Sequence, residues 1–103
     1  MTPWESHARA HPEAAAIRAK LMPLIEGLDE PLYREHITAK LDMIAAEYLD
    51  AKARLMKISS ERVPPSVLYE LYADLELCCK CCGDFENAYK YAGLRLELIK
   101  KIF

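Results

Sequence analysis

The chain is poor in the residues that build turns and strands. It has three glycines in 103 residues, and no run alternates apolar and polar residues between turn signals, which argues against a β protein. It has no Gly-rich phosphate loop, no Gly-x-Ser-x-Gly elbow and no His-Glu-x-x-His pattern, so familiar marks of nucleotide, acyl-transfer and zinc-protease chemistry are missing. An excess of one charge is missing too. Lys and Arg number 14 against 16 Asp and Glu, a net charge of −2, and the two signs are interspersed. Nucleic acid and anionic membranes both call for a basic face, so neither is expected as a partner. No stretch approaches the roughly 20 apolar residues of a membrane span, and "MTPWESHARAHPEAAA" lacks the apolar core of a signal peptide.

What remains reads as helix. Residues 1–11 form an N-terminal segment, and 12–103 a single all-α domain. A first helix is expected from Pro12, carrying Ala14, Ile17, Leu21 and Leu24 at helical spacing. Pro23 should kink or shorten it. Gly27 closes that region, and Asp29 is a candidate N-cap for the next helix. Ile37, Leu41, Ile44, Tyr48, Ala51, Leu55 and Ile58 then step by four and three, the seam of one helix of about 28 residues. Ala45, Leu49 and Met56 widen the seam into a face. "SSERVPPS" interrupts it. A third helix follows from Pro65 to Cys82, and a fourth, capped by Asp84, runs to the chain end. The expected architecture is a four-helix bundle or two stacked antiparallel helical hairpins.

All four cysteines fall in "CCKCC", residues 78–82. At 100° per residue, Leu68, Leu71, Tyr72, Leu75, Cys78, Cys79 and Cys82 share an arc about 120° wide. Free cysteine packs as a small hydrophobe, so three of the four continue a leucine stripe. Cys81 lies outside that arc. The pairs Cys78/Cys81 and Cys79/Cys82 have redox spacing but lie at a helix C-terminus, where the dipole disfavours thiolate. One helix cannot aim four thiolates at a single zinc ion. Packing is therefore the reading adopted, with Cys78, Cys79, Cys81 and Cys82 kept as candidate metal ligands for an alternative sensor function. Clustered cysteines with no distant partner suit a reducing compartment, cytoplasm or nucleus. His7, His11 and His36 show no ligand-pair spacing, His36 reads as a partly buried structural residue, and Trp4 lies in an aperiodic segment. No cofactor and no catalytic residue is expected.

Residues 66–99, helix, "GDF" turn, helix, resemble a tetratricopeptide hairpin. Tyr72 stands at that family's tryptophan position, Leu75 at its leucine and Cys79 at its tyrosine. Gly83-Asp84 form the turn before Phe85, and Ala88 is the small residue at the crossing. The pattern differs at Glu76, Ala92 and Arg95. The same stretch through Phe103 looks similar to the C-terminal helical region of SET–MYND lysine methyltransferases, which would make the chain a non-catalytic piece of such an enzyme. At one constant offset Ala45, Tyr48, Leu55, Met56 and Lys57 echo Ala88, Tyr91, Leu98, Ile99 and Lys100, a weak internal repeat. The last helix carries more apolar surface than one packing face uses. Tyr89, Ala92, Leu96, Ile99 and Phe103 make one stripe; Tyr91, Leu94, Leu98, Ile102 and Phe103 are the expected interface residues. The functional expectation is a non-catalytic interaction module or scaffold, binding a helix or peptide of another protein or associating with itself.

Overall fold

A computed structural model describes residues 13–102. Among them are five helices and no strand: α1 (Ala14–Glu26), α2 (Pro31–Ile44), α3 (Tyr48–Ser59), α4 (Pro65–Cys81) and α5 (Phe85–Ile102). The all-α class is as the sequence implies. The expected N-terminal segment, with Trp4, His7 and His11, lies outside the described residues.

The long second helix of the sequence reading is in fact two helices. Ala46 takes a left-handed φ of 60° and reverses the chain between α2 and α3. The seam consequently breaks at its middle: Ile44 is exposed, as is Leu49 beside it, whereas Leu41 on α2 and Tyr48, Ala51, Leu55 and Ile58 on α3 are buried as the period requires. A second correction is smaller. Glu30, not Asp29, caps α2, its carboxylate accepting from the Leu32 and Tyr33 amides, with Pro31 in the first turn. Pro23 sits inside α1, which nevertheless runs on to Glu26.

The turns after α2 and α4 have the same hydrogen bonds. After α4, Gly83 is left-handed at φ 77°, the Asp84 amide donates to the Cys79 carbonyl (2.8 Å) and the Gly83 amide to that of Lys80 (3.2 Å). After α2, Glu47 donates to Asp42 (2.8 Å) and Ala46 to Met43 (3.1 Å). This is the Schellman pairing, which satisfies the last helical carbonyls and fixes where the chain turns. Each turn ends on an acid, Glu47 or Asp84, followed by an aromatic residue that opens the next helix, Tyr48 or Phe85. The equivalent alanines are therefore Ala51 and Ala88, both buried. Ala45, matched to Ala88 in the sequence echo, is instead the C-cap of α2.

Each helix packs on the next in chain order, most extensively α4 on α5, and the chain is a slab of 40 × 39 × 21 Å. Leu55, Ile58, Leu71, Leu75, Cys78 and Cys79 are its fully buried large side chains. Half of the α4 contribution is thus thiol. Cys78 and Cys79 follow Leu71 and Leu75 on one face and let α3 and α5 close against it.

A left-handed alanine costs about 1 kcal/mol relative to glycine. Ala46→Gly is expected to raise the thermal midpoint by about 4–8 °C for a domain of this size. Gly83→Ala should lower it by a similar amount, through backbone strain alone, because a Cβ there would meet nothing within 4 Å. Thermal denaturation followed by circular dichroism checks both.

Candidate functional site

Three places gather chemistry or free surface. The first is a polar cluster linking α2 to α4. Lys40, one turn beyond His36 on α2, reaches Glu70 (2.6 Å) and Asp74 (2.9 Å), which are one turn apart on α4. Buried His36 stands with Nε2 3.5 Å from Asp74 Oδ2, too long for a strong hydrogen bond. His36, Glu70 and Asp74 bring ligand atoms within 4.8 Å of one another, the one such group of His, Cys, Asp and Glu among the described residues. The Lys40 ammonium already lies against both carboxylates, so it provides the positive charge that a metal would bring. Burial pushes the Asp74 carboxyl up, but His36 and Lys40 beside it outweigh burial and hold its pKa below the ordinary value.

The second place is the cysteine cluster. Cys78 and Cys79 are wholly buried, while Cys81 and Cys82 are half-buried and border an open groove of about 520 Å³ with Glu47 and Asp50. Burial, then neighbouring acid, drives the Cys78 thiol up to about 12 and Cys79 to about 11. Burial also raises Cys81 and Cys82, although the Tyr48 hydroxyl opposes it at Cys81 and Lys52 at Cys82. Raised thiol pKa values suppress the thiolate, the reactive and metal-binding form.

The third is the outer face of α5. Its inner face holds Ala88 and Tyr91 in the core, with the Tyr91 ring 5.9 Å from that of Tyr72. Arg95 on the same face pairs with Glu76 of α4 (2.9 Å). Of the expected interface residues, then, Tyr91 is occupied within the chain, Leu98 is half-buried and Leu94 is marginally exposed. Ile102 belongs to α5 by its backbone, and Phe103 lies outside the described residues. The free stripe is the neighbouring one. Phe85 is 59% exposed, Tyr89 84% and Leu96 53%, with Ala92 and Ile99 half-buried between and beyond them. At helical spacing these five share an arc about 80° wide. Glu86, Lys90, Glu97, Lys100 and Lys101 are exposed outside it.

Comparison with protein-family models, with curated proteins and with solved structures finds no match.

The polar cluster and the thiols each give a measurable expectation. The folded-state pKa of Asp74 lies below its unfolded value, so its contribution is complete at neutral pH and is lost as pH falls through the folded value. Asp74→Asn should cost roughly 1–2 kcal/mol at pH 7 and flatten the acid limb of stability, as measured by urea denaturation between pH 7 and pH 2. In the native protein at pH 8, a disulfide reagent such as DTNB should modify Cys81 and Cys82 slowly. Cys78 and Cys79 should react only after denaturation, as mass mapping of the modified peptides would show.

Proposed function

We propose that the chain is a non-catalytic protein–protein interaction module, built as two stacked antiparallel helical hairpins, α2–α3 and α4–α5, with α1 before them. The observation that carries this reading is the apolar stripe of α5. A contiguous run of Phe85, Tyr89 and Leu96 in water is costly unless a partner covers it, whereas the exposed Tyr33, Leu49 and Tyr69 are dispersed over three helices. The tetratricopeptide likeness supports the hairpin part of the proposal. Its two charged departures, Glu76 and Arg95, lie opposite each other and form an ion pair across α4 and α5. The free thiols fit a reducing location such as cytoplasm or nucleus. The competing sensor reading asks the cysteines to ionise easily, and their surroundings work against it.

The test uses a photo-crosslinking amino acid in place of Tyr89, in the protein's native cells. Discrete adducts are expected, and they should disappear when Leu96→Glu is added while helicity and melting temperature stay within error. An adduct pattern no different from that of the same probe at Glu86, outside the stripe, would refute the proposal.

A further inference from the structure

The two turns put α3 and α5 in register, and the register separates their faces. On α3, Ala51, Arg54 and Ile58 share one arc, Ala51 and Ile58 buried and the half-buried Arg54 pairing with Glu35 and Asp42 of α2. Tyr48, Lys52 and Leu55 occupy the adjacent arc: Tyr48 and Leu55 are buried, with the Tyr48 hydroxyl at Cys81 of α4, and Lys52 pairs with Asp84, the acid before α5 (3.3 Å). The positions equivalent to these three on α5 are Phe85, Tyr89 and Ala92, on the stripe left open. The face that receives α4 on α3 therefore has no helix upon it on α5 among the described residues.

A donor recurs with the face. The fifth residue of α1, Arg18, reaches Glu47, the acid that ends the first turn (2.9 Å). The fifth residue of α3, Lys52, reaches Asp84, the acid that ends the second. The fifth residue of α5 is Tyr89, whose hydroxyl is also a donor.

The other end of the slab offers a matching helix. On α1, Ala14 and Ile25 face the core, but Leu21 is 38% and Leu24 68% exposed. Ile17, Leu21, Leu24 and Leu28 precede the cap acid Glu30 at the same four spacings by which Leu71, Leu75, Cys78 and Cys82 precede Asp84. So the exposed Leu21 and Leu24 of α1, with half-buried Ile17 and, beyond the helix end, half-buried Leu28, repeat the spacing of the residues on the packed face of α4, and α1 too is followed by an N-cap carboxylate. We infer that the outer face of α5 receives α1 of a second copy of this chain, head to tail, with Tyr89 Oη donating to Glu30 of that copy. The inference rests on the interaction-module reading and names its partner. A contact of this kind joins two different patches, so each copy keeps one unused end and assembly proceeds to a ring or an open chain.

That asymmetry gives the experiment. Sedimentation velocity and native mass spectrometry of the full chain should show concentration-dependent association beyond the monomer. Leu24→Glu damages only the α1 patch and Leu96→Glu only the α5 patch. Each variant alone should associate about tenfold or more weakly, with unchanged helicity. Mixed in equal amounts, they should recover a 1:1 dimer, because each retains the patch that the other lacks. Tyr89→Phe should weaken association a few-fold, about the value of one hydrogen bond. A wild-type chain monomeric at about 100 µM, well above the micromolar affinities of ordinary specific interfaces, would overturn the inference. So would variants whose mixture stays monomeric, which would indicate a symmetric contact. A monomer that still gives specific Tyr89 adducts would leave the module reading standing and assign the face to a different protein.

Discussion

The fold depends on how a helix ends without stranding its carbonyls. In the turns after α2 and α4 a left-handed residue lets the next amides fold back onto the carbonyls of the last helical turn. The next helix starts at once on an acid that caps it or flanks it. Because the turn geometry is the same twice, it sets the rotation of α3 and α5 about their own axes. That rotation decides which side chains meet the preceding helix and which are left for whatever follows.

Charge reinforces this order, and it does so across helices more than along them. Arg18 spans to Asp42 and Glu47, Arg54 to Glu35 and Asp42, Lys40 to Glu70 and Asp74, Lys52 to Asp84, and Arg95 to Glu76. Most of these cations are partly wet, so each pair contributes modestly to stability. Their larger effect is on specificity, since a helix rotated or slid by one turn would leave Asp42 or Asp74 buried against no cation. Asp42 shows the cost: burial raises its pKa even with Arg54 and Arg18 beside it.

The sequence reveals what is local and apolar. The α4 stripe, with cysteines serving as aliphatic filler, follows from 100° per residue, and the Asp84 cap from its place after Gly83. The break at Ala46 is hidden, because Ala-Ala-Glu favours helix and nothing in its composition asks for a left-handed residue. Its cause is tertiary: Arg18 holds Asp42 and Glu47 on either side of the turn, and Tyr48 is buried with its hydroxyl at Cys81. The Lys40–Glu70–Asp74 cluster is hidden for a related reason, since its members lie on separate helices whose relative rotation no single-helix periodicity contains. The last helix is the intermediate case. Its two apolar stripes are plain in the sequence, but which one is spent on the core is decided by the turn before it, and the turn gives the core Tyr91 rather than Tyr89.

A series of helices packed mainly on their neighbours gains stability from successive interfaces, and among the described residues α1 and α5 each have one extensive interface. The two ends here are unequal. Helix α5 is held by the most extensive contact of the chain and can carry an apolar outer stripe without losing its place. Helix α1 has Ala14 and Ile25 as its buried residues, contains Pro23, and is tied to the turn before α3 by Arg18. Covering the outer side of α1 would therefore stabilise the weaker end while satisfying the stickier one. An exposed stripe on a firmly held helix and a leucine pair on a loosely held one are complementary in energetics as well as in pattern, and association would change the order of α1 more than that of any other element.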